Sequence, residues 1–385
     1  MTNEENKTKE VKNRSELVFL YDIKDANPNG DPMDENKPRI DEETEVNIVT
    51  DVRLKRTIRD YLHNFKEQDI FIIEEIKEDG TQKTREERIR ERKIETKGDE
   101  KILLNKYIDL RLFGATIALA AEKKGTKGRS ITWIGPVQFR FGRSLHKVEP
   151  RTIKGNSVMP SREEVTRGTF IETQILPYSL ICFYGIVNEN AAKATGLTEG
   201  DINLLLDGLW NGTKNLITRS KIGQVPRFLL RVIYKEKYYH IGDLDKKIRL
   251  VKLDSTKDDK AIRDISEIKL DITELINTLK QNKEKIEKIE YEVNSDVVFV
   301  VDRDENNGKE NVKANANAPG VASKPHENNG KEDVKKDKKD ENTKEDTNEN
   351  NGKEDVKGDK IETHLKKIVD TVERLGVEEQ KKEQE

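Results

Sequence analysis

Four aspartates, Asp22, Asp25, Asp31 and Asp34, stand within thirteen residues of one another, interleaved with Asn27, Pro28, Asn29, Gly30 and Pro32. Carboxylates at that density could hold two magnesium ions about 4 Å apart and activate water against a phosphodiester. The spacing Asp25-x-Asn27-x-Asn29-Gly30 also opens like a calcium-binding loop. That second match fails further on. Its twelfth position is Asn36 where a bidentate Glu is needed, Pro28 interrupts it, and an apolar run precedes it in place of a helix. Asp is also an ordinary turn residue, so the plain reading of the four is a turn-rich loop. A second chemistry lies just downstream, where Arg53, Lys55, Arg56 and Arg59 crowd seven residues. Clustered cations neutralise phosphates whatever the base sequence.

Two further basic clusters adjoin turn-rich, polar segments. Residues 125–169 hold nine Lys and Arg against three Glu, and Lys214 to Arg231 is similar in character. Other site chemistries find little support. The five histidines are scattered and the single cysteine, Cys182, gives no zinc pattern. Gly125-Thr126-Lys127-Gly128 looks like the clamp of a KH domain, but a strand follows it where a helix is required, so helix termination is the better reading. No phosphate-binding Walker loop, nucleophile elbow or dinucleotide fingerprint is present. Phosphate binding is therefore the leading chemistry, with no catalytic residue, metal or cofactor nominated.

The elements that must position these groups are legible in outline. Leu17 to Ile23 is a continuous apolar run, read as a buried strand. A helix opens at Thr50 or Asp51, either of which can cap its first amides. Its buried stripe is Leu54, Ile58, Tyr61, Leu62 and Phe65. At 100° per residue Arg56 and Arg59 fall opposite that stripe, with Arg53 and Lys55 at its margins, so reversing both Arg56 and Arg59 should not disturb folding. Ile70 to Ile76 reads as a second strand and residues 82–101 as an exposed, charged excursion. Tyr107 to Ala121 reads as a mostly buried helix. Ile131 to Phe141 reads as a strand broken at Gly135-Pro136, with Val137, Phe139 and Phe141 on its apolar face. Residues 146–169 read as a protruding basic hairpin with an isolated apolar pair, Val158 and Met159. Phe170 to Val187, Phe228 to Tyr234 and Asp296 to Val301 are further strands. Thr198 and Asp201 stand in capping-box spacing ahead of Ile202, Leu205, Leu206, Leu209 and Trp210. Intermixed strands and helices without a repeated βα period predict an α+β fold.

The chain is 385 residues long, 38% charged and 33% hydrophobic, with a net charge of −3. Charge is concentrated at its end, where residues 302–385 carry 18 Lys and Arg against 23 Asp and Glu. Residues 1–15 are polar and expected to be disordered. A body is expected over 16–301. From 302 to 360 there is no aromatic, Leu or Ile, so no core can form. ENNGKENVK at 305–313 recurs as ENNGKEDVK at 327–335 and 349–357. A solenoid unit needs an apolar face to stack and these offer one Val each, so the segment reads as a low-complexity linker. An amphipathic helix is expected over 361–380, with Ile361, Leu365, Ile368, Val369, Val372 and Leu375 as its stripe. One cysteine excludes an internal disulfide and fits a reducing compartment. The longest apolar run, Tyr178 to Val187, is too short to span a membrane, and a soluble, cytoplasmic protein is expected.

The motifs carry a resemblance. NPNGDPMDENKPRID followed by VTDVRLKRTIRDYL is similar to the N-terminal signature of the CRISPR-associated Cas-seven backbone proteins, and within them to the type I-B Csh-two branch, the DevR autoregulator group. DLRLFGA at Asp109 to Ala115, GPVQFRFGRSLHKV at Gly135 to Val148 and LWNGTKNLITRSKIGQVPRFL at Leu209 to Leu229 fit the same family in the same order. The match spans roughly residues 15 to 301. It implies an RRM-like, ferredoxin-type antiparallel sheet elaborated into palm, fingers and thumb, polymerising along one CRISPR RNA in a Cascade surveillance complex. The implied partners are further copies of itself, Cas-five and Cas-eight type subunits, and foreign target DNA met through guide pairing. On this resemblance the RNA-backbone ligands are Asn27, Asn29, Arg39, Thr50, Arg53, Lys55, Arg56, Arg59, Gln138, Arg140, Arg143, Arg219, Lys221 and Gln224. The thumb is placed at 146–169 with Val158 and Met159 as its wedge. The alternatives are an RNA-cleaving subunit using the Asp25 and Asp31 loop, and a DNA-binding autoregulator. The aromatic stacking motifs of a simple RRM are absent, so base recognition by stacking is not supported.

Because residues 302–360 can contribute no core, a chain ending at Val301 is expected to fold and bind RNA nearly as the full chain does. Thermal unfolding and an RNA-binding titration check this. An insoluble or RNA-free truncation would make the Ile361 to Leu375 segment part of the fold.

Overall fold

The structure, a computed structural model, describes residues 8–91, 100–119, 129–156 and 170–301. Val158, Met159, the Gly125 to Gly128 stretch, the repeats and the amphipathic C-terminal segment lie outside them. In chain order the described strands and helices are β1 (Ser15–Ala26), β2 (Gly30–Asp31), β3 (Lys37–Pro38), β4 (Val46–Val49), α1 (Asp51–Lys66), α2 (Arg85–Arg90), α3 (Glu100–Lys106), α4 (Ile108–Phe113), β5 (Gly114–Leu119), β6 (Arg129–Ile134), β7 (Val137–Phe139), β8 (Gly142–Lys147), β9 (Arg151–Asn156), β10 (Phe170–Val187), α5 (Glu189–Thr195), α6 (Glu199–Asp207), β11 (Val225–Tyr234), β12 (Arg249–Lys252), β13 (Ile268–Asp271), α7 (Thr273–Gln281), β14 (Ile286–Val293) and β15 (Phe299–Val300). Helix and strand alternate irregularly around one large antiparallel sheet, the α+β class expected.

That sheet runs β14-β11-β1-β10-β8-β4, with β7 and β9 also pairing with β10. β1 lies between β10 and β11, antiparallel to both. Its side chains alternate between two cores. Leu17, Phe19, Tyr21 and Ile23 join α1 and α6 on one face, while Val18 and Leu20 join α7 and β14 on the other. Burial on both faces is why the run is apolar without alternation. Glu16 stands on β1 within this interior and is held by donors alone: the hydroxyls of Tyr184 and Tyr234, and the amides of Ile241 and Gly242 at 2.9 Å each.

Helix α1 begins where expected, with the Thr50 hydroxyl accepting from the Arg53 amide at 3.3 Å. It lies against a π-helical turn, Gly208–Gly212, that continues α6. A side chain at Gly208 or Gly212 would come within 3.0 Å of Ile58 or Tyr61, so these glycines set how closely the helices approach. Phe65 departs from the expected stripe. It is exposed on the last turn and stacks on Tyr61, ring centroids 5.3 Å apart.

Several expected elements are replaced, each for a visible reason. Ile70 to Ile76 forms no strand. Its amides at Phe71 and Ile72 donate instead to the Asp109 carboxylate at 2.8 and 3.0 Å, a side chain taking the place of a partner strand. The helix expected over Tyr107 to Ala121 stops at Phe113. Gly114 takes φ +66° and the chain turns into β5, paired with β6; a Cβ at Gly114 would sit 2.3 Å from the Trp133 carbonyl. β9 pairs with the first part of β10 from Arg151/Ile175 to Asn156/Phe170, the base of the expected hairpin. Phe141 leaves the apolar face shared by Val137 and Phe139 and is 54% exposed. Residues 8–14, expected to be disordered, lie against the body: Val11 is buried, and its amide donates to Leu197 O at 3.1 Å. Residues 235–295, left unassigned by pattern, supply β12, β13, α7 and β14.

Arg59 is the main electrostatic correction. It lies in the interior, its Nε 3.0 Å from Asp109 Oδ2 and its guanidinium 5.1 Å from the Phe113 ring centre. Charge reversal there would leave two anions buried together. Truncating Asp109 to Ala should cost about 3–5 kcal/mol by stranding Arg59 together with two amides. Arg56→Ala, on the exposed side, should change stability by less than about 0.5 kcal/mol. Urea midpoints of the two variants check the contrast; equal effects would put Arg59 back on the surface.

Candidate nucleic-acid interface

β1 ends at Ala26, and the chain then makes a tight polar excursion before α1. Two asparagines organise it. The Asn27 amide nitrogen of the main chain donates to Ser220 O at 2.8 Å and its side chain to Asn36 O at 2.7 Å. Asn29 Oδ1 accepts from both the amide and the hydroxyl of Thr50, at 2.9 and 2.8 Å. The Arg39 amide donates to Asn29 O at 3.2 Å, and Arg39 Nη1 pairs with Asp31 Oδ2 at 2.7 Å. These bonds bring three segments far apart in sequence to one place: residues 27–39, the first turns of α1, and residues 213–224.

Where they meet, the charge balance is unusual. Arg53 is largely buried, and its Nη2 donates to Thr57 Oγ1 at 3.1 Å. Its Nε is buried without a hydrogen-bond partner, and no carboxylate among the described residues lies within pairing distance. Burial lowers its pKa, against attraction from the more distant Asp60 and Tyr21. Lys221 stands nearby, with its ammonium on the Ser220 hydroxyl at 3.2 Å. Burial first, then the Arg53 charge, lowers its pKa too. Thr213 Oγ1 is buried without a partner, and with Gln224, Thr57 and Tyr21 it lines a narrow cleft beside Arg53. Two like charges and several donors thus converge with no anion of the described chain to answer them. A phosphate oxygen would supply what is missing.

The other nominated residues divide into two groups. Lys55 is nearly buried between Asp51 at 2.9 Å and Gln138 Oε1 at 3.2 Å, while Gln138 itself donates to Gly135 O. Arg56 pairs with Asp60, Arg140 with Asp243 and Arg143 with Asp41, all at partly exposed positions. Such pairs are labile enough to exchange a carboxylate for a phosphate. Arg59 is excluded by its place in the core. Arg219 is exposed, and among the described residues its side chain has one hydrogen-bond partner, Thr173 Oγ1 at 3.5 Å. Thr57, Thr213 and Tyr21 were not nominated, since nothing in their type or spacing separates them from packing residues.

The acidic loop does not converge. Asp22 is buried beside Arg227 Nε at 3.0 Å, out of line for a hydrogen bond, and accepts from the Tyr178 hydroxyl at 2.9 Å. Burial raises its pKa despite both. Asp31 faces Arg39, Asp34 faces Lys37 at 2.7 Å, and Asp25 is exposed with a left-handed φ of 49°. Among the described residues no three His, Cys, Asp or Glu side chains stand close enough to share a metal ion.

Comparison with known proteins bears on this site. The family model for the CRISPR-associated protein Cas7 matches residues 13–273. The CRISPR-associated protein Cas7 of Haloferax volcanii is 34% identical over 299 residues, covering 72% of this chain and 86% of that protein. A chain of a CRISPR RNA-guided surveillance complex aligns at 13% identity and TM-score 0.41, over 73% of this chain and 88% of its own. A chain of such a complex in a pre-nicking state aligns at 10% identity and the same TM-score, over 75% and 96%. Those structural likenesses are too slight to add to the sequence matches.

A lysine whose folded pKa lies below its unfolded value costs stability at neutral pH, and the cost is relieved as pH rises through the folded value. Lys221→Met should therefore leave the free protein as stable as the parent or raise its Tm by a few degrees, while weakening phosphate binding. Any stability deficit of the parent relative to the variant should shrink as pH rises on the alkaline side, because only the parent carries the lowered lysine pKa. Thermal unfolding between neutral and alkaline pH measures both. A lower Tm for the variant would mean that Lys221 is compensated.

Proposed function

The chain belongs to the Cas7 family of CRISPR-associated proteins, and on that premise we propose that it is the backbone subunit that holds a CRISPR RNA by its phosphates. The observation that carries this reading is the pair of partly buried cations Arg53 and Lys221, unanswered by any carboxylate among the described residues, at the meeting of three segments. Thr50, Asn27 and Asn29 hold those segments in register, and Arg219, Arg56, Arg140 and Arg143 extend the positive surface. Copies polymerise along the RNA and present it for pairing with foreign DNA. The protein reads backbone shape and base pairing reads sequence.

The RRM-like assignment is supported by strand order. β11-β1-β10-β8, all neighbours antiparallel, with α1 between β1 and β8 and α6 between β10 and β11, is the order of a split βαβ unit of ferredoxin type. The hairpin of β9 and β10 is the base of the thumb. The NPNGDPMDENKPRID motif supports assignment to the Csh-two branch, and with it a type I-B assembly beside Cas-five and Cas-eight type subunits. No helix of the described residues is long and apolar enough to cross a membrane. A cytoplasmic location fits the buried, unpaired Cys182. We read the subunit as a scaffold without catalysis, because Asp22, Asp31 and Asp34 each face a cation of the chain.

RNA of defined length, sensitive to ribonuclease, should co-purify with the protein. Changing Arg53 and Lys221 together to Met should weaken binding across unrelated RNA sequences. The slope of log affinity on log salt should flatten by about 0.7 for each lost contact. Complementary RNA incubated with the assembled complex and magnesium should stay intact. Cleavage abolished by Asp31→Ala would establish the nuclease reading instead, and sequence-specific duplex binding without RNA the autoregulator.

A further inference from the structure

Strand alternation calls for Phe141 to point inward with Val137 and Phe139, and it does not. β7 ends at Phe139 and β8 begins at Gly142. Of the two residues between them, Arg140 still donates its amide to Tyr184 O of β10 at 2.9 Å, while Phe141 lies outside both strands. Gly142 has no room for a side chain, since a Cβ there would sit 2.4 Å from the Phe183 ring. The interior place beside β10 is thus taken by Phe183, and Phe141 is turned out, 54% exposed. A single exposed ring is ordinary on a protein surface, so its surroundings decide whether it can serve a ligand.

The surroundings of Phe141 narrow what that ligand would be. The ring stands at the boundary of two open clefts of about 470 and 610 Å³. The smaller has apolar walls at Pro38, Ile40, Ile48 and Pro150, and a polar edge at Arg39, Lys37, Asp31, Asp34, Glu42 and Thr50. It shares Arg39 and Thr50 with the candidate interface, and Thr50 caps α1 one turn before Arg53. Arg140 and Arg143 flank the ring in sequence but are drawn away from it. Arg140 lies 4.5 Å over the Tyr184 ring and pairs with Asp243, while Arg143 pairs with Asp41. A face of Phe141 therefore remains available to a flat partner.

We propose that Phe141 is a stacking platform for one unpaired nucleobase of the bound strand, the base entering the smaller cleft with its polar edge toward Arg39 and Asp31. A nucleobase has the flat apolar face and polar rim that this cleft offers, and its own phosphate would reach the Arg53 side. Every base has a π face, so the contact adds affinity without selecting sequence. The assignment rests on the RNA-binding reading and adds a non-electrostatic component to it.

The test uses the full chain and an unstructured oligoribonucleotide too short to bridge two copies, titrated at several salt concentrations. Phe141→Ala should lose about 5- to 100-fold in affinity, the range for one stacked base, with the salt slope unchanged. Phe141→Leu should keep only part of the binding. Phe141→Trp should bind as the parent does, and its added fluorescence, read against the parent's two tryptophans, should be quenched by RNA. Parent affinity in Phe141→Ala, or tryptophan emission indifferent to RNA, would overturn the platform while leaving the phosphate contacts standing. Intact affinity with lost self-assembly would make Phe141 a contact between copies, and so also overturn it. A parent that binds no oligoribonucleotide would instead remove the RNA reading itself.

Discussion

Strand β1 is buried on both faces and paired on both edges, and the rest of the molecule is arranged around that condition. From Ser15 to Ile23 the strand exposes nothing, and only Lys24 and Asp25 near its finish reach solvent, so chemistry must be gathered at its ends. At its start, the Glu16 carboxylate is satisfied by hydroxyls and amides within one core and ties the Ile241–Gly242 segment to the sheet. At its finish, Asn27 and Asn29 spend their hydrogen bonds fixing neighbouring segments. The candidate interface is therefore built on polar groups that are themselves rigidly held.

Charge is abundant in this chain but mostly cancelled within it. Lys55, Arg59, Arg227 and Arg231 all point into the body against carboxylates and serve packing. Arg231 is enclosed between Glu199 and Glu290, a buried triad that contributes order more than free energy. Only where no carboxylate answers does a cation keep its full field for a ligand. Arg53 and Lys221 stand in that position, and their lowered pKa values record the same strain. Counting basic residues would not have found them, since Arg56 and Arg59 lie on the same helix with quite different fates.

Departures from local rules mark different things in different places. Asp109 breaks the expected strand at Ile70 to Ile76 by accepting its amides, and the outcome is a solid core contact. Gly114 breaks an expected helix so that β5 can meet β6. Phe141 breaks the alternation of its strand and gains no interior contact in return. A rule broken with internal compensation is architecture; one broken without it points outward.

The sequence alone determined what depends on neighbours within a few turns of chain. The β1 run, the Thr50 cap, the Thr198 and Asp201 capping box, the break at Gly135-Pro136 and the α+β class all follow from local pattern, and the family follows from motifs whose order survives. It also nominated the loop after β1 and the start of α1, two segments that the structure joins through Asn29 and Thr50. What it could not determine was the sign of usefulness of each cation, because that depends on which carboxylate comes near. Asp109 lies fifty residues from Arg59, and Lys221 lies still further from Arg53. Periodicity set Arg59 opposite the apolar stripe, yet that side of the helix is also covered, by α4 and Phe113. The 235–295 region was unreadable because its strands are short and its burial comes from the far face of the sheet. Helical angle and strand alternation are properties of one segment. Solvent exposure and electrostatic compensation belong to two or three segments at once, and only the tertiary structure brings those together.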